Sequence, residues 1–329
     1  MNNYTWQYIQ EHKQETKRLL GIDYELLEQL MMYLVIEEKR QQQELEKKKI
    51  RIIKSGGGRA SKLSKENQIL LVLVYLRHHI NFQLLGIMFQ VSESTANNLF
   101  HYWQKIIRKA LPCSLLEQVK KCESELKEIL VKLTEYELLV DSEEQPRSRP
   151  SDYQEQKKCY SGKQSEHTFK NQLISLPLGQ DIVDVVAGEL GPKSDIKICR
   201  EHLHKFDDRQ TFKGDKAYVG ESQITTPKKK PKNGELTPEQ KAENKQISSV
   251  RIFIEHLIRI IKIWRIAQEK FRLKKHQYQS VFLTVCGLVR LRIKSLIIEI
   301  VKTEDTQDII NVLLNHSFGQ KLNLSEILT

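Results

Sequence analysis

Three acidic residues stand where the surrounding sequence makes a carboxylate costly. Asp141 follows the apolar run Leu138–Val140 at the predicted end of a strand, and Asp215 ends a second short strand. Glu255 lies in the segment RIFIEHLIRIIKIW, whose pattern indicates an apolar helix. A charge in such surroundings is stable only when it is paired or bound to a metal ion. Two carboxylates at strand ends and one on a following helix form an oxygen-rich site that favours Mg²⁺ or Mn²⁺.

Carboxylates arranged in this way predict phosphoryl-transfer chemistry. Two divalent ions about 4 Å apart stabilise the attacking and leaving oxygens of an in-line displacement at phosphorus. One ion activates water or a DNA 3′-hydroxyl, and the other takes up charge on the departing oxygen. The sequence also allows a plainer interpretation, in which each acid is a surface or ion-paired residue. In that interpretation Glu255 pairs with Arg251 or Arg259 on its own helix.

The predicted helix around Glu255, from about residue 244 to 272, carries one polar stripe. At about 100° per residue, the stripe consists of Asn244, Ser248, Arg251, Glu255 and Lys262. The other positions form a broad apolar arc of Ile254, Leu257, Ile258, Ile260, Ile261 and Trp264. A helix this apolar is largely buried, so we expect its stripe to face a polar cleft. There Arg251 and Lys262 are candidates to hold a phosphate or the scissile DNA strand.

The composition indicates a basic globular protein. Lys and Arg total 53 against 42 Asp and Glu, which gives a net charge of +11. DNA, RNA or an anionic membrane surface would each fit that charge. The longest apolar run, Ile69–Leu76, is far shorter than the roughly 20 residues of a spanning helix, which argues against a membrane protein. Five scattered cysteines without a C-x-x-C pair argue against disulfides and structural zinc, and fit a reducing cytoplasm.

Residues 81–103 predict a helix-turn-helix. Its first short helix has apolar residues at Phe82, Leu85, Ile87, Met88 and Phe89. Val91 fills the turn, and Ser92 caps a second helix that begins near Glu93. That helix exposes side chains suited to base edges and phosphates: Ser94, Thr95, Asn97 and Asn98. Candidates to neutralise phosphates follow it: Lys105, Arg108 and Lys109. The alternative is an ordinary helical hairpin.

The rest of the chain predicts a mixed α/β domain after an α-helical region. Residues 1 to about 50 are helical by pattern, and a basic linker with Gly56–Gly58 predicts a flexible joint and an arm for the minor groove. Ser64 should cap a helix that runs through Leu76, and residues 116–133 should form one further helix. Strands are expected at 138–141, 167–179, 180–191 and 211–215, with a basic, proline-containing loop at 226–240.

Four spaced blocks add a family signature. The first block consists of Asp141, Glu144, Arg149 and Pro150. The second consists of Tyr160, Ser161, Gly162, Lys163, His167, Thr168 and Lys170. The third consists of Asp215, Lys216, Tyr218 and Gly220, and the fourth of Asn244, Ser248, Arg251, Glu255 and His256. With these blocks in order, the chain resembles the DDE transposases of bacterial insertion sequences, in particular the insertion-sequence-five group.

The resemblance implies a domain plan and an activity. It implies an N-terminal helical segment and basic linker (1–55), a helix-turn-helix domain (56–133), an RNase H-like catalytic domain (134–300) and a helical tail (301–329). It also implies magnesium-dependent cleavage and strand transfer of double-stranded DNA at terminal inverted repeats and target. By the same resemblance, the protein would act as a homodimer on paired DNA ends. It would do so at the nucleoid of the bacterial cytoplasm, with Asp141, Asp215 and Glu255 as catalytic, metal-binding residues.

The chain departs from the family pattern at two positions, and two alternative functions are compatible with the sequence. Arg251, Glu255 and Lys262 match the gaps of a related signature, but Ser248 stands where that signature has Tyr. A step in which the tyrosine stacks on a flipped base is therefore open. Glu143 stands where relatives often have Thr. The alternatives are a domesticated helix-turn-helix repressor and an RNase H-like nuclease that cuts without joining.

Overall fold

The computed structural model describes residues 4–48, 61–232 and 234–298. The N-terminal residues are helical, as predicted: α1 (Tyr4–Glu11), α2 (Thr16–Leu20) and α3 (Tyr24–Lys47). The predicted flexible joint at Gly56–Gly58 and the predicted helical tail at 301–329 lie outside the described residues.

The predicted helix-turn-helix is present as a pair of helices packed on a buried third. These are α4 (Lys65–His78), α5 (Phe82–Phe89) and α6 (Glu93–Ala110). Ser64 caps α4, and the hydroxyl of Ser92 accepts the N–H of Thr95 at 3.2 Å to cap α6, both as predicted. The apolar residues of α5 do not all lie in the core. Ile87 is 67% exposed and Met88 49%, because an eight-residue helix can turn only one side to α4 and α6.

The turn between α5 and α6 requires glycine at position 86. A β-carbon there would lie 2.7 Å from the carbonyl oxygen of Val91. We expect Gly86→Ala to lower the free energy of unfolding by about 1–3 kcal/mol, because the backbone of the turn must move to admit the methyl group. Urea denaturation measures this loss. Gly162→Ala is the matched control, since a β-carbon there meets nothing within 4 Å, and an equal loss in both variants would contradict the prediction.

The single helix predicted over residues 116–133 was wrong. The chain forms α7 (Leu115–Val119) and α8 (Glu123–Leu133), with extended backbone at Cys122 between them. This break places Leu116 and Leu133 in the same apolar cluster beneath the sheet. Burial of both leucines therefore outweighs the local preference for one continuous helix.

Among the described residues, six strands form one mixed sheet. The strands are β1 (Leu138–Pro146), β2 (Tyr160–Ser161), β3 (Glu166–Ser175), β4 (Ile182–Leu190), β5 (Phe212–Lys213) and β6 (Ile224–Thr225). The order is β4-β3-β1-β5-β6, with β2 paired to the start of β3. β4, β3 and β1 are antiparallel, whereas β5 and β6 run parallel to β1. With the helices around it, this is the α/β, RNase H-like architecture that the sequence predicted.

Several boundaries differ from the sequence prediction. β3 ends at Ser175 rather than at 179, and β5 ends at Lys213, before Asp215. β1 does not end at Asp141, because its pairing with β3 continues from Asp141 opposite Leu173 to Pro146 opposite Thr168. The long helix is α11 (Pro238–Lys262), which begins earlier and ends earlier than predicted. Its start is fixed by a capping box, in which Thr237 accepts the N–H of Gln240 and the Gln240 side chain accepts the N–H of Thr237.

The remaining helices are α9 (Tyr153–Cys159), α10 (Asp195–His202) and α12 (Tyr278–Arg292). α12 is almost wholly buried and joins the two halves of the molecule. Its Ser280 and Thr284 accept hydrogen bonds from the amide of Gln104 on α6, with donor–acceptor distances of 3.0 and 2.9 Å between the side chains. One continuous apolar cluster contains residues of α4, α6, α12 and β3.

At the far end of α12, Arg290 forms a buried ion pair. Its side chain is fully buried, and it donates to both oxygens of Asp181, at 2.7 and 2.8 Å. It also donates to the carbonyl of Pro112 at 3.1 Å and to the side-chain oxygen of Gln118 at 2.9 Å. This arginine thus ties α12 to the start of β4 and to the segment around α7.

Candidate metal centre and nucleic-acid interface

The sheet presents a row of polar side chains to α11. Asp141, Glu143 and Gln145 are alternate residues of β1 and therefore point to the same face. α11 lies against this face and supplies Arg251, Glu255 and Lys262. The Nη2 atom of Arg251 is 3.5 Å from Oδ2 of Asp141 and 3.5 Å from Oε1 of Glu255. One guanidinium nitrogen therefore stands between these two carboxylates, one from the sheet and one from the helix.

A cleft of about 320 Å³ opens beside these residues. Its lining includes acids from the sheet and from two helices: Asp141, Glu143, Glu144, Asp195 and Glu255. It also includes four bases: Lys163, Lys170, Arg259 and Lys262. The cleft can therefore hold a cation among carboxylates and an anion beside them.

Opposing electrostatic effects act on the pKa of the Asp141 carboxyl. Its pKa is raised to about 6, mainly by burial, and the negative charges of Asp215 and Glu255 contribute to the rise. The charge of Arg251 and the N–H of Ser142, 2.9 Å from Oδ1, oppose that rise. The three acids are thus close enough for their charges to interact, and a cation placed among them would relieve the repulsion.

Asp215 is placed near this centre but is turned toward its own loop. Its half-buried carboxylate, two residues beyond the end of β5, accepts the N–H of Ala217 at 2.8 Å and lies outside the cleft lining. Its neighbour Gly214 is packed closely, since a β-carbon there would lie 2.9 Å from the ring of Tyr218. Of the three predicted acids, the structure brings Asp141 and Glu255 to the same guanidinium, and Asp215 lies near enough for its charge to act on Asp141. Among the described residues, the three carboxylates do not form a group whose ligand atoms all lie within 4.8 Å of one another.

A different group of three residues brings ligand-type atoms close together. Within the described ranges, atoms of Glu189, Glu201 and His202 lie within 4.8 Å of one another. The ammonium of Lys193 already pairs with Glu189 at 2.7 Å and with Glu201 at 2.5 Å. This group is therefore explained as an ion-pair cluster around Lys193 rather than as a metal centre.

Sequence reasoning missed a second buried network in the same cleft. The ammonium of Lys170 pairs with Asp195 at 3.0 Å and with Glu144 at 3.5 Å, and Glu144 also accepts the hydroxyl of Thr168 at 2.7 Å. Glu144, Thr168 and Lys170 belong to the motif blocks, so that signal was present. Asp195 had none, because only the packing of α10 against the sheet brings it to the cleft.

α6, the second helix of the helix-turn-helix and its candidate recognition helix, exposes most of the predicted DNA-contact residues. Ser94, Thr95 and Asn98 are exposed, Asn97 is half-buried, and Lys105 is exposed further along α6. A shallow concavity at the start of the helix is lined by Ser92, Glu93, Ser94, Asn97 and Asn98.

Arg108 is placed differently from the other predicted DNA contacts. It donates two hydrogen bonds to Glu117, at 3.1 and 2.6 Å, and its side chain is only 21% exposed. Its guanidinium therefore joins α6 to α7 in the structure. Lys105, in contrast, points to solvent on the same helix.

The described helices include none long and apolar enough to cross a membrane.

Comparisons with known proteins match two separate parts of the chain to families. Residues 140–290 match the family model of the DDE superfamily endonucleases, and residues 61–113 match the helix-turn-helix of DDE superfamily endonucleases. The chain is 31% identical over 230 residues to a probable transposase for insertion sequence element IS702 from Microchaete diplosiphon. The alignment covers 68% of this chain and 79% of that protein. No solved structure matches the chain.

Proposed function

Because the chain belongs to the DDE transposases of insertion sequences, we propose that it binds terminal inverted repeats, cleaves DNA there and joins the freed 3′-hydroxyl to target DNA. The family supplies the class of enzyme, an endonuclease domain that follows a helix-turn-helix. The repeats, the joining step and a homodimer on paired ends belong to the proposal, as does membership of the insertion-sequence-five group.

The observation that carries the proposal is the position of Arg251. Its nitrogen lies 3.5 Å from carboxylates of β1 and of α11, which supports the proposal that both acids face one cation-binding position. DDE enzymes use divalent metal, and these hard oxygen donors fit magnesium or manganese. We propose that Asp141, Asp215 and Glu255 hold two such ions. When bound, the ions would supply an activated oxygen nucleophile and stabilise charge at the leaving oxygen.

The chain's own residues would seat the DNA. Lys262 lines the cleft, and Arg251 is paired with Asp141 of the cleft lining; both would bind phosphates of the strand to be cut. The exposed side chains at the start of α6 would read base edges, and Lys105 would neutralise a backbone phosphate. On this proposal, residues 56–133 bind the ends and residues 134–300 perform the chemistry, after the N-terminal segment 1–55 and before the tail 301–329.

A cleavage and joining assay tests the proposed function. A labelled duplex that carries the DNA flanking the gene is incubated with the protein and magnesium, and the products are separated by size. We expect nicks at the element ends and longer products in which a labelled 3′-end is joined to target, and a chelator should remove both. Nicks without joined products would indicate a nuclease, and binding without nicks would indicate a repressor.

The recognition helix gives a further prediction. We expect Asn97→Ala and Asn98→Ala each to weaken binding to the end sequence by about 1–3 kcal/mol, because an asparagine amide can bond two groups of one base. Binding to random duplex should change little. Fluorescence anisotropy with both duplexes measures the difference. An equal loss on both would place these amides on phosphates instead.

A further inference from the structure

Glu143 is a buried carboxylate that the proposed chemistry does not use. It lies two residues after Asp141 on the same face of β1, and its side chain is only 4% exposed. Oε1 accepts the side-chain N–H of Asn171 at 2.6 Å, and Oε2 lies 3.2 Å from the ammonium of Lys262. A buried charge is costly unless it is paired, so Lys262 is what makes this carboxylate tolerable.

Lys262 has a different environment from its partner. It is the last residue of α11, its side chain is 35% exposed, and it lines the cleft with Asp141 and Glu255. An ammonium has three N–H donors. Glu143 lies 3.2 Å away on the buried side as an ion-pair partner, and the ammonium also lines the cleft, so its donors are available to a group bound there. The pair thus places the ammonium of Lys262 beside the candidate metal centre, with Glu143 on its buried side.

We propose that Glu143 is a positioning residue for DNA cleavage, which holds the ammonium of Lys262 at the cleft so that it meets a phosphate of the strand seated beside Asp141. This inference rests on the proposed function. Lys262 would touch the DNA, whereas Glu143 acts only through Lys262. The alternative is that the pair only fastens the end of α11 to β1.

Glu143→Gln separates these two roles. Glutamine keeps the volume and the acceptor for Asn171, so the fold is preserved, but it releases Lys262 from its ion pair. We expect the affinity for DNA to be undiminished, and the slope of log affinity against log salt to steepen by up to about one, because a cation is no longer neutralised. We expect kcat to fall about 10- to 100-fold with KM unchanged or lower, since a misplaced group costs rate rather than binding.

The experiment compares four proteins with the wild type. They are Glu143→Gln, Lys262→Met, the double variant, and the matched control Asp184→Asn. Asp184 pairs with Lys205 at 2.6 Å, with side-chain exposures of 9% and 32%, but outside the cleft. Affinity for a labelled end duplex is measured over a range of salt in the presence of chelator. kcat and KM for nicking are then measured with magnesium, and melting temperatures report the fold.

A fall in kcat for Glu143→Gln that disappears when Lys262 is already methionine supports the proposal, provided that Asp184→Asn leaves kcat unchanged. An unchanged kcat overturns it, as does a loss that persists in the Lys262→Met background. A rise in KM accompanied by a large drop in melting temperature overturns it in favour of the purely structural role. If the wild type does not cut DNA, the proposed function itself fails. Normal cutting by wild type and Glu143→Gln alike removes only the role of Glu143.

Discussion

Asp141→Asn, Asp215→Asn and Glu255→Gln are each expected to lower DNA cleavage by at least about a thousandfold while DNA binding survives. A metal held by carboxylates supplies several kcal/mol of charge stabilisation to the transition state, and about 1.4 kcal/mol corresponds to tenfold in rate. The amides keep the shape of the side chains but lose the charge that would hold the ion. Single-turnover nicking with magnesium measures the rate, and a binding assay in chelator measures retention of DNA.

The control for this prediction is an acid outside the cleft. Glu201→Gln removes a carboxylate from the ion-pair cluster around Lys193, where Glu189 remains to neutralise the lysine. We expect it to cut at the rate of the wild type. Full cleavage by any of the three cleft variants would remove that residue from the metal centre. Loss of folding in all three would show that the acids are structural.

The second large effect concerns stability. Arg290→Met is expected to reduce the free energy of unfolding by about 3–5 kcal/mol, because it leaves Asp181 buried without its partner. Asp181 is only 9% exposed on its side chain, so water can replace little of what the guanidinium provided. The midpoint of urea denaturation should fall accordingly.

An exposed ion pair gives the comparison for Arg290. Arg209 bonds Asp207 at 2.9 Å, but its side chain is 68% exposed. Arg209→Met should therefore change the free energy of unfolding by less than about 1 kcal/mol. If the two variants were equally stable, burial would not be what makes the Arg290 pair important.

Local chemistry explains what the sequence could predict. Ser64 and Ser92 cap their helices through neighbours three residues away, so both boundaries were readable from a short window. The capping box at Thr237 and Gln240 is equally local, but the predicted helix began near residue 244, where its polar stripe starts, so the predicted start lies after the observed start of α11. The polar stripe itself correctly indicated that Arg251 and Glu255 share one side of the helix.

Tertiary packing explains what the sequence could not predict. The continuation of β1 beyond Asp141 depends on its pairing with β3, whose residues lie about thirty positions later. The Lys262–Glu143 pair joins residues on two elements that only the fold brings together. Asp195 likewise enters the cleft because α10 packs on the sheet, and its sequence neighbours carry no sign of it.

The hydrogen bonds from Gln104 to α12, within a core shared by both halves, have a consequence for where DNA is cut. Helices and strands that share one close-packed core do not rotate independently of each other. If the proposed function is correct, the helix that binds the repeat and the cleft that cuts the DNA are held at a fixed distance from each other. The number of base pairs between the recognised sequence and the cleaved bond would therefore be set by the dimensions of the protein. That number would be the same at the ends of every copy of the element.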